Sequence, residues 1–389
     1  MSTTPESSSR DTPRSTLTDK PIISSDSHVS EPEGCYDDID PKYRDNRPVF
    51  VDHEALGPAY VIPDFKMPIP MSMMNAAGRA PDNIMNFELG WDDLEPGGWD
   101  PKARLEAQDK DGIYAEVIYP SVGMVLCLHP DVDYRKACFD AYNRWLAGFC
   151  ELDPNRLIGV GQAALRSVEE GVQELEQIKA MGFKSVMIPG DPHVEDYDSP
   201  CYAPLWEAAI DLDLPISFHI LTSKSDDLAN DRKGRGPKIN SFMQLIRGNQ
   251  DIMGMLCFGG VFERHPKLKV VCVEADAGWV PHFTYRMDHA YHRHRFWMQT
   301  GGITRPPSEF FYENIYITYQ DDFSATNHAE ERLLKRIMWA NDFPHSDSTW
   351  PWSQSILEKM IGNLDQEQRD WILHDNVAEL YGLESAPAG

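Results

Sequence analysis

The chain reads as an α/β protein built as a (β/α)8 barrel, with a long insertion after its first strand. Three observations predict this. Eight short apolar or β-branched runs recur along the 389 residues, and each is followed by a segment with helical spacing. Alternating strands and helices build a parallel sheet. The runs are continuous rather than alternating in polarity, as in strands covered on both faces. Eight such units is the number that closes a barrel, and an open doubly wound sheet is the second reading.

The runs are, in order, Ile22–His28, Ala115–Ser121, Leu157–Leu165, Ser185–Gly190, Pro215–Ile220, Lys269–Glu274, Ile315–Gln320 and Ile337–Asp342. Between them, Pro101–Asp111 carries Ala103, Leu105 and Ala107 at helical spacing. Tyr134–Leu152 does so with Ala137, Tyr142, Trp145, Leu146 and Phe149. Val168–Met181 carries Val172, Leu175 and Ile178 and meets a stop signal at Gly182. Ala203–Leu212, Met253–Arg264, Val280–Arg295 and Ala329–Lys335 supply later crossovers, and Asp365–Leu383 closes the chain. One crossover breaks the rhythm: about 70 residues, 31–100, lie between the first run and its helix. Structureless loops of that length are uncommon and usually functional. Its prolines, the run Met67–Met74 and the aromatics Trp91 and Trp99 suggest a lid or pocket wall, or an oligomer contact. Residues 1–20 are rich in Ser, Thr, Pro and charge and are expected to be disordered. The barrel then spans 21–384, and 385–389 form a short tail.

Composition excludes several classes. Basic residues number 36 against 62 acidic, a net charge of -26. Nucleic-acid binding needs Lys and Arg against phosphate, so this balance argues against it, as it does against adsorption to anionic membranes. The seven cysteines form no CxxC pair, which indicates neither a disulfide framework nor a zinc ribbon and suits a reducing cytoplasm. No run of 18 apolar residues is present, and the first twenty residues lack an apolar signal core. A homodimer is the expectation from base rates alone.

Chemistry concentrates at the C-terminal ends of the runs. Asp26 and His28 end the first, His219 the fifth, Glu274 the sixth and Asp342 the eighth, with His345 three residues on. In a barrel these ends share the face that carries active sites. Asp26 and His28 are two apart and point to one side of a strand. Imidazole nitrogen and carboxylate oxygen suit Zn2+, Fe2+ or Mn2+, and the set has room for one or two ions. A single such His or Asp is commonly structural or a helix cap; several at one end of separate strands point to a metal. Ser121, Gln162, Gln320 and Trp350 follow other strand ends and are candidate substrate contacts, each with buried packing as the plain alternative. Gly159–Ala164 matches a loose dinucleotide fingerprint but lies within a strand, which argues against that role. The basic tract Arg286–Arg295 reads as a solvated helix face.

The tracts Ser24–Pro32, Glu263–Asp288, Ile337–Pro351 and Asp375–Leu383 resemble amidohydrolase family 2 of the amidohydrolase superfamily, the branch that includes aminocarboxymuconate-semialdehyde decarboxylase. The resemblance implies a distorted (β/α)8 barrel with a divalent metal at its mouth. It places ligands on Asp26, His28 and His219, and makes Asp342 both ligand and proton acceptor. The first-strand pair is usually His-x-His; here it is Asp26-Ser27-His28. Many members place a catalytic His in the sixth-strand motif, where this chain has Glu274. The fourth run offers no lysine, so a carbamylated bridge is not expected. Glu274 and His345 would then complete a second metal site or act as acid and base.

The leading expectation is a metal-dependent hydrolase that activates water against a thioester, ester, amide or activated C–C bond of a small organic acid derivative. Nonoxidative decarboxylation of an aromatic or unsaturated acid is the second reading. A metal-stabilised binding protein without turnover is the third.

Overall fold

The structure, a computed structural model, describes residues 17–223, 236–327 and 329–383. Strands β1 (Ile23–His28), β2 (Ala115–Tyr119), β3 (Leu157–Gln162), β4 (Ser185–Met187), β5 (Ile216–His219), β6 (Val270–Val273), β7 (Ile315–Tyr319) and β8 (Ile337–Trp339) form one eight-stranded sheet in chain order. Every neighbouring pair is parallel. β8 returns to β1 through individual bonds. Ser25 Oγ donates to the carbonyls of Met338 (3.1 Å) and Trp339 (2.9 Å), and the Asp342 N–H donates to Asp26 O (3.1 Å). The His28 N–H donates to Phe343 O at 2.6 Å. The barrel is thus closed most tightly at the end that carries its reactive side chains.

Each strand stops at or before the end of its apolar run. There the chain turns out of the ladder, and Leu165, Leu221, Glu274 and Asp342 take left-handed φ values of 54°, 65°, 59° and 52°. The helices form where local chemistry starts and stops them. Asp100 caps Pro101–Asp111 by accepting from the Lys102 N–H, and Gly112 at φ 71° ends it. Asp131 and Ser167 cap Val132–Cys150 and Val168–Ala180 in the same way. The segment expected as Met253–Arg264 begins at Ser241 and breaks into Ser241–Phe258 and Val261–Arg264, because Gly260 is left-handed (φ 73°). The closing segment is Gln366–Asp370, a π-helical turn over Trp371–Asp375, and Asn376–Tyr381. Pro307–Asn314 and Ser353–Ile361 are helices that the apolar spacing did not single out.

The insertion is not a structureless lid. Val49–His53, Gly57–Val61 and Ile69–Pro70 form an antiparallel sheet. Trp91 packs on Trp99 and on Phe50 at centroid distances of 4.1 and 5.0 Å. Backbone bonds moor it to both ends of the barrel seam. The Ser30 N–H donates to Gly98 O (2.8 Å), and the Ala76 and Ala77 N–H groups donate to Pro344 O (2.7 and 2.9 Å). It is a fixed wall beside β1 and β8.

Of the expected N-terminal tail, residues 1–16 lie outside the described residues. Leu17 and Thr18 are buried, and Thr18 Oγ1 donates to Asp370 at 2.6 Å, so residues expected in the tail pack against the barrel. The 385–389 tail also lies outside. All seven cysteines are free thiols. Among the described residues no helix is long and apolar enough to cross a membrane.

Candidate metal centre

Beneath the barrel mouth lies a buried polar layer that sequence reasoning missed. Glu116 sits in the middle of the apolar strand β2. Its carboxylate receives Arg104 Nε, Gln108 Nε2 (3.0 Å) and Asn341 Nδ2 (2.8 Å). Arg104 also donates to the carbonyls of His28 (2.7 Å) and Gly97 (3.0 Å) and to Ser27 Oγ (2.8 Å). One guanidinium therefore joins the first strand, the insertion wall and β2. A charged residue inside an apolar strand demands a partner, and that was the available signal.

Above this layer Asp26, His28, His219, Glu274, Asp342 and His345 converge. His28 Nε2 lies 3.5 Å from Asp26 Oδ1, 3.2 Å from Asp342 Oδ1 and 4.0 Å from Glu274 Oε2. His219 Nε2 lies 3.6 Å from Asp26 Oδ1 and 3.4 Å from Glu274 Oε2. His345 Nδ1 lies 3.4 Å from Asp342 Oδ1, and its ring stacks on His28 at 3.7 Å. Asp26, His28, His219 and Asp342 are fully buried, and the Glu274 side chain is 11% exposed. Left-handed Glu274 follows β6 directly, and left-handed Asp342 stands three residues beyond the end of β8. The Glu274 N–H is held by Thr318 Oγ1 at 2.8 Å.

The two imidazole protons are placed so that each Nε2 lone pair faces the carboxyl groups. His28 Nδ1 is 2.9 Å from Pro120 O, and His219 Nδ1 is 3.1 Å from Ile220 O. A carbonyl only accepts, so each Nδ1 carries the proton and each Nε2 offers a lone pair. Burial lowers the pKa of His28 to about 4 and of His219 to about 3, so both rings are neutral near pH 7. Burial raises Asp26 to about 7, against the attraction of His28. Burial, then the charges of Asp342 and Asp26, push Glu274 well up. Burial acts the same way on Asp342, but His345 and His28 outweigh it and hold that carboxyl below the ordinary range. Among the described residues, both oxygens of Asp26 and Asp342, Glu274 Oε2 and the Nε2 atoms of His28 and His219 have no hydrogen-bond partner.

Buried acceptors crowded together without donors are strongly unfavourable unless a cation joins them. Two overlapping groups have ligand atoms within 4.8 Å of one another: Asp26, His28, His219 and Glu274, and His28, Glu274, Asp342 and His345. The donor set fits a divalent ion, and two imidazole nitrogens with several carboxylate oxygens suit Mn2+, Fe2+ or Zn2+.

The other sequence candidates separate. Ser121 Oγ donates to Val29 O (2.6 Å) and contacts His345 Nε2 (2.7 Å), so it is tied to the cluster by protein groups. Gln162 Nε2 donates to Gly123 O at 3.0 Å, leaving Oε1 unpartnered. Gln320 is buried beyond β7, and its Nε2 has no hydrogen-bond partner among the described residues. Trp350 packs on Phe343 and under Lys110, and its Nε1 donates to Ala107 O at 3.1 Å; these contacts are those of a packing residue. Glu31, a buried carboxylate within the first recognised tract, went unnoticed. It accepts from the Ser121, Val122 and Gly123 N–H groups at 3.1, 3.0 and 3.1 Å.

Relatives share this architecture. The decarboxylase orsB of Emericella nidulans is 24% identical over 290 residues, 71% of this chain and 84% of that protein. A crystal structure of an amidohydrolase from Mycobacterium avium subsp. paratuberculosis superposes with a TM-score of 0.78 at 21% identity, covering 93% of this chain and 99% of that one. A dihydroxybenzoic acid decarboxylase from a Polaromonas species, solved with manganese and the inhibitor 2-nitroresorcinol, superposes at 0.60 with 18% identity, covering 95% and 99%. The sequence pattern of the amidohydrolase family matches residues 31–383. With this family match over most of its length, and an eight-stranded barrel carrying a ring of candidate metal-ligand side chains, the chain belongs to the amidohydrolase family.

Proposed function

We propose that this enzyme is a divalent-metal-dependent nonoxidative decarboxylase of an aromatic or unsaturated carboxylic acid. The observation that carries the reading is the ring of unpartnered lone pairs on Asp26, His28, His219, Glu274 and Asp342, set beside a family relationship whose named relatives include decarboxylases. Decarboxylation thereby displaces hydrolysis, the leading expectation from sequence.

The five side chains would hold one ion, with Mn2+ favoured by the carboxylate majority. When bound, such an ion supplies a Lewis acid for the substrate carboxylate and an adjacent oxygen. The chain's own residues do the rest. Loss of CO2 leaves the bonding electron pair on the substrate carbon, and one proton must replace the carboxyl group: RCO2⁻ + H⁺ → RH + CO2. Asp342 and His345, 3.4 Å apart, hold that proton at Asp342 Oδ1 or His345 Nδ1 and deliver it to the carbon. Gln320 Nε2, buried and without a hydrogen-bond partner among the described residues, is a candidate donor to the bound acid.

The test is CO2 release from hydroxylated aromatic acids, starting with 2,6-dihydroxybenzoate, by Mn2+-loaded protein, in parallel with thiol release from a thioester panel. Decarboxylation with about one ion per chain is the expected result. Thiol release without CO2, with two ions per chain, replaces this reading by hydrolysis.

A further inference from the structure

We propose that Ser121 and Glu31 are positioning residues that fix the tautomer of His345, keeping a proton on Nε2 so that only Nδ1 exchanges one with Asp342. The tautomer itself stands on hydrogen-bond geometry; its value for turnover rests on the decarboxylase reading.

A serine hydroxyl has one proton to give. Ser121 Oγ lies 2.6 Å from Val29 O and 2.7 Å from His345 Nε2. The carbonyl cannot donate. Were the hydroxyl proton turned toward His345, two oxygen acceptors would face each other at 2.6 Å with nothing between them. The proton therefore belongs to Val29 O, and the contact with His345 is an N–H donated to Oγ. That leaves Nδ1 as the variable nitrogen, 3.4 Å from Asp342 Oδ1. Stacking on His28, at 14° between planes, resists rotation of the ring.

Ser121 in turn has no freedom to swing away. Its N–H, with those of Val122 and Gly123, is bound by the fully buried Glu31 carboxylate. Gln162 Nε2 holds the Gly123 carbonyl at 3.0 Å. Glu31 lies three residues beyond His28, so one short stretch, residues 26–31, supplies two metal ligands and the anchor for a third loop. The turn at 121–123 relays that anchor to His345 on the β8 loop. Partners of this kind, which orient reactive or ligating groups, commonly carry 10- to 100-fold in activity or metal affinity.

The experiment reads the tautomer directly. Full-length protein is labelled with 15N-histidine, loaded with diamagnetic Zn2+, and examined at pH 8 by long-range 1H–15N correlation. The His345 signals are identified by their loss in His345→Asn. A protonated Nε2 and an unprotonated Nδ1 are expected. In Ser121→Ala the His345 pattern should shift toward the other tautomer or a mixture, while Ser121→Thr retains it. Glu31→Gln should move it in the same direction as Ser121→Ala. Unchanged signals from the other histidines control for folding. A wild-type His345 protonated on Nδ1, or an unaltered pattern in both Ser121→Ala and Glu31→Gln, overturns the proposal whatever reaction the enzyme catalyses. On a substrate found by the CO2 assay, Ser121→Ala should lower kcat by about 10- to 100-fold with little change in KM. In a His345→Asn background it should lower kcat no further, and a fully additive loss would show that Ser121 acts independently of His345.

Discussion

Two buried polar clusters lie one above the other in this barrel, and they balance their hydrogen bonds in opposite ways. In the lower one, Arg104, Glu116, Gln108, Asn341 and Ser24 interlock, with both Glu116 oxygens and the Arg104 donors engaged. In the upper one, both oxygens of Asp26 and Asp342, Glu274 Oε2 and the Nε2 atoms of His28 and His219 find no hydrogen-bond partner among the described residues. Both are removed from water, so burial does not distinguish them. What distinguishes them is pairing: in the lower network Gln108 Oε1 alone lacks a partner among the described residues, and the network holds the fold, whereas the upper one, unpartnered on five side chains, fits a bound cation.

The comparison can be broken from either side. The largest effect is expected at Asp342. Asp342→Asn keeps the shape but removes the proton carrier, and CO2 release should fall by about 10²- to 10⁴-fold. Next comes the lower cluster. Arg104→Ala strands Glu116 as a buried unpaired charge, and urea unfolding should show a loss of about 3–5 kcal/mol. The upper cluster should respond with the opposite sign. Asp26→Asn supplies an N–H toward the His219 lone pair and removes a like charge, so the chelated protein should gain about 1 kcal/mol or more in the same assay. That variant should also lose most of the rise in melting temperature that added Mn2+ gives the wild type.

The smallest effect is in pH. Burial raises the folded-state pKa of Asp26, Glu31, Asp111 and Asp276 to about 7 and pushes that of Glu274 well up. A carboxyl whose folded pKa is raised weakens folding as pH climbs from its ordinary value to the folded one, and acidification restores that stability. His28 and His219, with lowered values, act the other way, because the unfolded chain takes up protons below about pH 6.5. With five groups against two, the chelated protein should melt at a higher temperature at pH 6 than at pH 7.5. A lower melting temperature at pH 6 would mean that burial does not hold these carboxyls above their ordinary range.

The barrel was legible in the sequence because each strand is a contiguous apolar run and each helix has local caps. The six metal-ligand candidates were legible because a strand end fixes where a side chain goes. Pairings across the barrel were not. Nothing near Glu116 in sequence names Asn341, 225 positions away, and nothing near Ser121 names His345. Sequence alone therefore marks Ser121 as a candidate substrate contact and gives no sign of its bonds to Val29 O and His345. For Trp350 the sequence leaves pocket wall and buried packing open, and its contacts with Phe343 and Lys110 favour packing. The insertion resisted reading because its short strands and mixed proline-rich sequence carry no sustained period, although its tertiary moorings are specific.

The left-handed residues at the strand ends have a further consequence, for divergence. A non-glycine residue held at positive φ costs about 1 kcal/mol or more, and that cost lies in the main chain. Position 274 therefore bears it whatever head group it carries, and histidine and aspartate are among the side chains that tolerate this conformation best. A ligand can be exchanged there on an unaltered scaffold, imidazole for carboxylate, without rebuilding the turn. Such a barrel can move from one metal chemistry to another by single substitutions, and Glu274→His is a step the fold should admit with its melting temperature nearly unchanged in the metal-loaded state.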